Sequence, residues 1–579
     1  MFLARNRRRP TPRRSPGGRD TRLGLEQLDG RALLSVSLPG TAAVGSMPSG
    51  SDATAGIRVI DIIPGSQSGE TGQNSEPSIA VNPNDTSQAV IGVFSFANSS
   101  FSPYYSTSDG GTTWTQFDTQ KSHDSTLSWS ASGTLYLGRT SKLPENNHGF
   151  IKATLEVDES NDPVTTGTGF SPIPGSVYKS AVGAQVPDQP RVVAAQVGGT
   201  DHIYLGYNNF TGLNNQVPPT GNTATVEFSV DGGRSWTTTV VDQGNQGGFA
   251  DGPPVQPAVN GHHVYVAFER GTQPPDVADG VAFGQVVVVR DDQAGGDGFK
   301  DLGPGGEGTI VATGFAPIAT PNGAESLGNE RLGSDLTLAV DPRDAGHLYV
   351  GYAGVPTVNG VIQYGTIQVQ VQESTDGGAD WHQVFATSGT AGSKAALPYL
   401  AVADNGTVGL LYTSLTLNNN ASYLETHFVQ TGDDFATFTD TMLSKFKDGV
   451  PPLEGQPYIG DYEGLKAVGN TFYGTFSASN QADGTNAVFP GGVSFQRDFT
   501  GSPGTGSFQL TDGRGKPVPT SIDPFFFAVP TGGDSRSAAI EANPTSGSPQ
   551  ATAVGILPTD AVDTLIGNAV DLSGHKKKR

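Results

Sequence analysis

The 579-residue chain contains no cysteine. It therefore has no disulfides, no thiolate metal ligands and no thiol nucleophile, so its stability must come from a packed core. Charge is sparse, at 16% of residues, and no apolar run reaches the roughly 18 residues that a membrane-spanning helix needs. The nine histidines show no HExxH or other ligand spacing, no GxSxG elbow appears, and no glycine-rich loop joins a strand to a helix. The formal charge of −22 conceals an asymmetry. Residues 1–35 carry nine Arg against three acids, which leaves the rest of the chain near −28. So acidic a body repels phosphate backbones, and nucleic acid is not expected as a partner; the same charge keeps a large protein in solution.

What the chain has in quantity is turn formers, with 79 Gly and 40 Pro, a composition that suits turn-rich β structure. Three stretches share one pattern: Thr107 to Trp114 (TSDGGTTW), Ser229 to Trp236 (SVDGGRSW) and Ser374 to Trp381 (STDGGADW). Asp-Gly-Gly is hairpin chemistry, in which the carboxylate caps the turn and the glycines accept positive φ. The Trp opens the next strand with a large apolar face to bury. In the three copies the repeated positions are Asp109, Gly111 and Trp114; Asp231, Gly233 and Trp236; and Asp376, Gly378 and Trp381.

These turns belong to a longer unit that recurs about seven times between residues 76 and 511. Each unit has a short apolar strand, a second strand of the form hYhGY, a third strand, the turn and a fourth strand. HIYLGY (202–207), HVYVAF (263–268), HLYVGY (347–352) and TFYGTFS (471–477) are copies of the second strand. The fourth unit has a blurred turn at Asp291 to Phe299 and the sixth a degenerate one at Thr431 to Phe438; the second lacks it. In the seventh unit VSFQRDF (493–499) supplies a strand. Four strands per unit, stacked around a channel, make an all-β propeller of antiparallel blades. Seven blades are favoured, and six, with one unit merged as an insertion, also fit the spacing. The isolated strand at 57–63 (IRVIDII) is placed to complete the last blade, and SIDPFFFAVP (521–530) is too apolar to stay in water. The chain then divides into a basic segment at 1–35, a linker at 36–56, the propeller at 57–530 and a polar tail at 531–579.

Two resemblances bear on function. Leu25 to Ser35 (LEQLDGRALLS) resembles the LExLExRxLLS-type N-terminal signature of planctomycete surface and exported proteins. It implies a secreted or cell-surface location. The three turn boxes resemble the Asp-box (BNR) repeats of the sialidase superfamily. In that family the boxes lie at the periphery of a propeller, and the chemistry lies at the central mouth. The resemblance implies an arginine triad clamping a carboxylate, a Tyr nucleophile backed by Glu, and an Asp acid/base. The family's Phe/Tyr-Arg-Ile-Pro motif has no counterpart, because Glu76-Pro77-Ser78-Ile79 occupies its place.

Aligning the innermost strands puts one residue per unit at an equivalent position: Glu76, Asp124, Gln189, Gln256, Asp335, Leu397 and Asp461. Asp188, Arg191, Arg331, Tyr399, Tyr462 and Glu463 lie close by in sequence. Three readings of this ring stay open. It is a glycosidase-like site with paired carboxylates, Asp335 with Asp461 or Tyr462 with Glu463. It is a cation site, with hard oxygen ligands suited to Ca²⁺. Or its members bond backbone N–H groups at strand starts and water in the channel. The expected function is an exported propeller that binds or hydrolyses extracellular glycans at the mouth, as a monomer and without a required cofactor. The alternative is a non-catalytic binding or structural surface propeller.

Overall fold

The computed structural model describes residues 57–532 apart from 96–100, 123, 144–151, 177, 180–185, 211–222, 243–250, 253, 272–280, 318–326, 328–335, 359–360, 364, 391, 419–420, 453–458, 482–487 and 504. The basic segment, the linker and nearly all of the polar tail thus lie outside the described residues. Within them the chain is a seven-bladed β-propeller, and only two short 3₁₀ turns interrupt the strands. The innermost strands are Asn74–Val81, Ser125–Trp129, Val186–Val197, Val255–Asn260, Leu336–Asp341, Lys394–Val402 and Gly464–Val468, numbered here as blades 1 to 7. Blades 1 to 6 run outward from that strand in chain order.

Seven apolar clusters account for the ring, one at each junction between neighbouring blades. Tyr204 and Phe228 of blade 3 pack with Val264 and Phe299 of blade 4, and Leu411 and Phe428 of blade 6 pack with Phe472 and Phe527 of blade 7. Ile79 and Trp114 of blade 1 pack with Phe526 and Tyr473 of blade 7, so the ring closes on itself. A lone sheet would leave both faces wet; each face is buried only because a neighbour covers it.

The glycine of the hYhGY strand has a packing cause. A Cβ on Gly206 would lie 2.2 Å from the Val255 carbonyl oxygen of the next blade, and one on Gly138 would lie 2.6 Å from Leu205 Cδ1. The innermost strands are also stapled to one another by hydroxyls. Ser78 Oγ accepts from Leu127 N (3.0 Å), Thr126 Oγ1 from Val192 N (2.9 Å), Ser128 Oγ from Ala194 N (2.9 Å) and Thr337 Oγ1 from Leu400 N (3.2 Å). These bonds satisfy backbone donors that no ladder reaches, since neighbouring blades share no sheet.

The Asp-Gly-Gly turns are peripheral and close alike. Ser374 Oγ donates to Asp376 Oδ1 (2.8 Å) and accepts from Gly378 N (2.9 Å), and Trp381 Nε1 donates to the Gly378 carbonyl (2.9 Å). Thr107–Trp114 and Ser229–Trp236 repeat those bonds. The two degenerate turns keep the geometry by other means. Thr431 and Asp433 reproduce the hydroxyl–carboxylate pair, with Asp434 and Phe435 at positive φ where glycines stand elsewhere. In blade 4 Asp291 replaces the hydroxyl and accepts from four backbone N–H groups.

Blade 7 corrects one assignment. VSFQRDF is not one of its main strands: only Val493–Ser494 pairs, at the outer edge and parallel. The third strand is Ile522–Pro530, antiparallel to Thr471–Ser479, and the fourth is Val59–Asp61 from the other end of the chain. Residues 521–530 are therefore blade core and leave the channel unplugged. The sequence pattern missed this because the pairing spans a long insertion that carries its own short hairpin, Phe499–Thr500 with Gln509–Leu510.

Candidate functional site

The seven innermost strands enclose a channel of about 360 Å³, lined among others by Ser78, Thr126, Arg191, Gln256, Thr337, Tyr399 and Glu463. Three of these strands start with a bulge at an X-Pro step, where the ladder register shifts: Glu76-Pro77, Gln189-Pro190 and Leu397-Pro398. Glu76, Gln189 and Leu397 have φ of 54°, 50° and 57°. Positive φ strains any residue with a side chain, the more so before proline. Such bulges re-aim side chains, and here Glu76 and Gln189 both reach Asp461 of blade 7. Gln256-Pro257 pairs regularly instead.

Residues from blades 1, 3, 6 and 7 meet there. Gln189 Nε2 donates to Asp461 Oδ2 (3.3 Å), and Asp461 N donates to Glu76 Oε1 (3.3 Å). Gly460, at φ 92°, makes room, since a Cβ there would lie 2.1 Å from Glu76 Cγ. The Arg191 guanidinium lies over the Tyr462 ring at 4.1 Å and 5.5 Å from the Tyr399 ring centroid, in cation–π contact with both. Arg191 is 5% exposed, and its Nε and Nη2 meet no hydrogen-bond partner among the described residues. Glu463 Oε1 accepts from Thr413 Oγ1 (2.7 Å). Burial pushes the Tyr399 phenol up, against the opposing pull of Arg191. Lys466, half-buried in the channel wall, is pushed down to about 8 by burial and then by Arg191.

Of the residues singled out in the sequence, Glu76, Gln189, Arg191, Tyr399, Asp461, Tyr462 and Glu463 thus form one cluster. Asp124 does not join it. Its carboxylate accepts from Thr140 Oγ1 (3.2 Å) in its own blade, as a strand-start cap. Gln256 lines the channel without a bond to the cluster among those described. Asp188 pairs with Asn208 in its ladder, while Asp335 and Arg331 lie outside the described residues. Tyr462 is 1% exposed beneath Arg191, a poor position for a nucleophile. Lys466 and Thr413 escaped the sequence reading. Lys466 was within reach of it, two residues past Gly464 on the channel face of a strand whose side chains alternate.

Two other groups look chemical and are structural. Ser414 Oγ, His427 and Asp440 stand in a relay, at 3.3 Å to Nε2 and 3.0 Å from Nδ1. Glu425 also lies 3.8 Å from Nε2. Burial lowers the His427 pKa, but Asp440 and Glu425 more than offset this and raise it to about 9. The ring is therefore an imidazolium at neutral pH, a cross-link that cannot accept a proton from Ser414. Asp291, Asp297 and Asp301 converge in the blade 4 turn, where Asp291 is already committed to backbone donors.

The sequence matches no family model and none of the curated proteins compared. Among solved structures, the chain is similar to an α-L-arabinanase of Penicillium chrysogenum with arabinobiose, at 11% identity, 81% of this chain and 98% of that one, with a TM-score of 0.38. A GH93 α-L-arabinofuranosidase of Fusarium graminearum gives 12%, 62%, 92% and 0.34. A PL25 ulvan lyase gives 10%, 70%, 92% and 0.39.

Proposed function

We propose that the protein is a glycan-binding propeller whose mouth takes a sugar bearing a carboxylate. One observation carries this: a buried guanidinium in contact with two tyrosine rings in the wall of a 360 Å³ channel, whose Nε and Nη2 lack acceptors among the described residues. A carboxylate satisfies such a fork bidentately, and buried N–H donors without acceptors are otherwise costly. Lys466, its ammonium already destabilised, gains from the same anion. Selectivity comes from these local cations, since the charge of the whole body is negative and is screened beyond about 8 Å in physiological salt. Export, as the N-terminal signature suggests, would bring the site to extracellular polysaccharide.

The test is calorimetric titration of the full chain with uronate- or sialate-terminated oligosaccharides beside neutral ones, together with a turnover screen on fluorogenic glycosides. Acidic sugars should bind and neutral ones not, and Arg191→Met, which keeps the packing on Tyr462, should weaken binding at least about 30-fold. Equal binding of neutral glycans, or an unaffected Arg191→Met chain, would overturn the reading. Turnover lost in Asp461→Asn would add a hydrolytic step; turnover indifferent to Asp461→Asn and Tyr462→Phe removes both from any mechanism.

A further inference from the structure

We infer that His347, Glu373 and Asp434, with His382 holding Glu373 from outside, form a binding site for a divalent transition metal of the Zn²⁺ class, clamping blade 5 to blade 6. The site lies away from the mouth. His347 lies near the start of the second strand of blade 5, Glu373 near the end of the third and His382 at the start of the fourth, the ends opposite the mouth. Glu373 pairs in register with Tyr349 on one side and His382 on the other, so the side chains of His347, Glu373 and His382 share one face. Asp434 comes from the degenerate turn of blade 6, at the position where the other turns have a glycine.

The donors are already gathered at hydrogen-bond distances. His347 Nε2 lies 2.7 Å from Glu373 Oε1 and His382 Nε2 lies 3.0 Å from Glu373 Oε2. One ligand atom each from His347, Glu373 and Asp434 falls within a 4.8 Å sphere of mutual separation. Outer partners orient them: Asp341 Oδ2 is 3.6 Å from His347 Nδ1, and Tyr349 Oη donates to Asp434 Oδ1 (2.5 Å). Carboxylates and hydroxyls around such ligands orient them, here Asp341 at ion-pair distance and Tyr349 by a hydrogen bond.

Charge points the same way. Asp341, Glu373 and Asp434 bring three carboxylates around His347, and Arg343 offsets one of them by pairing with Asp341 (2.6 Å). Glu373 and Asp341 are 4% and 1% exposed, so water does little to screen the rest. The carboxylates thus outnumber the fixed cation by two, and one divalent ion balances the difference. An imidazole nitrogen beside two carboxylates suits Zn²⁺ and its neighbours, whereas Ca²⁺ takes oxygen ligands. The sequence hides this set because its members are 26, 9 and 52 residues apart and come together only across strands and blades.

The experiment uses the full chain, stripped with chelator and titrated with Zn²⁺ and, separately, Ca²⁺, with bound metal counted after dialysis. The expected result is one Zn²⁺ per chain, preferred over Ca²⁺, with a raised melting temperature. His382 is largely exposed, so His382→Ala should leave the metal-free fold intact while weakening Zn²⁺ binding about tenfold or more. Asp434→Asn should do likewise. No stoichiometric Zn²⁺, a preference for Ca²⁺, or binding unchanged in both variants would overturn the proposal; the last would assign the metal to other histidines.

Discussion

Replacing Arg497 with Met tests how the ring is closed. Arg497 is 2% exposed, and its guanidinium joins both ends of the propeller. Nη1 donates to Asp523 Oδ2 (2.6 Å) on the third strand of blade 7, and Nη2 donates to the Ser68 carbonyl (3.3 Å) and to the Glu70 carbonyl, next to the N-terminal strand. Asp61 and Glu70 share the pocket. Burial, with Asp523 adding to it, holds Asp61 well above the usual carboxylate range and Glu70 up to about 7, while Arg497 pulls both down. Removing one member of a buried pair costs about 3–5 kcal/mol, because the other charge stays behind. Here the carboxyls can escape by taking up protons. A carboxyl whose folded pKa is raised contributes stability below its unfolded value, near 4.5 for Glu70, and loses it as pH rises through about 7. Arg497→Met raises those pKa values further, so its cost should be small at pH 5 and reach about 4 kcal/mol at pH 8. Urea unfolding followed by tryptophan fluorescence reads this directly, since Trp114 sits edge-on to Phe526 of the closing blade at 5.3 Å. A loss under about 1 kcal/mol at pH 8, or an equal loss at both pH values, refutes the account.

Three more outcomes follow from the same structure. Thr126→Val removes the acceptor for Val192 N and the donor to the Pro190 carbonyl (3.0 Å); leaving those groups buried should cost about 2–3 kcal/mol in urea unfolding, against nearly nothing for a staple of no consequence. Gly206→Ala places a Cβ 2.2 Å from the Val255 carbonyl oxygen and should destabilise by about 1–3 kcal/mol through displacement of blade 4, with the melting temperature as readout. Burial alone would lower the His427 pKa, yet Asp440 and Glu425 raise it from 6.5 to about 9. The pairing therefore contributes stability that is complete below pH 6.5 and fades as pH rises through 9. Wild type should lose more stability than His427→Asn between pH 6.5 and 9.5, by at most about 3 kcal/mol; parallel curves would exclude the cross-link.

The site was partly legible. The repeat alignment placed Glu76, Gln189 and Asp461 at equivalent strand starts, and they do touch across three blades. It could not rank them against Asp124, which points back into its own sheet. Nor could it show that Arg191 would become the centre, because its partners Tyr399 and Tyr462 belong to blades brought opposite only by closure. The bulges that aim these side chains left a trace in the three X-Pro steps, but Gln256-Pro257 carries the same dipeptide in a regular ladder.

The sequence by itself determined what short-range chemistry controls. Asp-Gly-Gly fixes a hairpin because the cap and the positive-φ residues lie within eight positions, and four strands per unit with a buried glycine make a blade. Those rules held even where Thr431–Phe438 and Asp291–Phe299 spell them differently. The tertiary structure decided which strands complete blade 7, where Ile60 pairs with Phe526, and which side chains face one another over the channel, as Gln189 and Asp461 do from 272 residues apart. Those contacts depend on the number of blades and the angle at which the ring closes. Both are set by the packing of seven interfaces together, and no local window of sequence contains them.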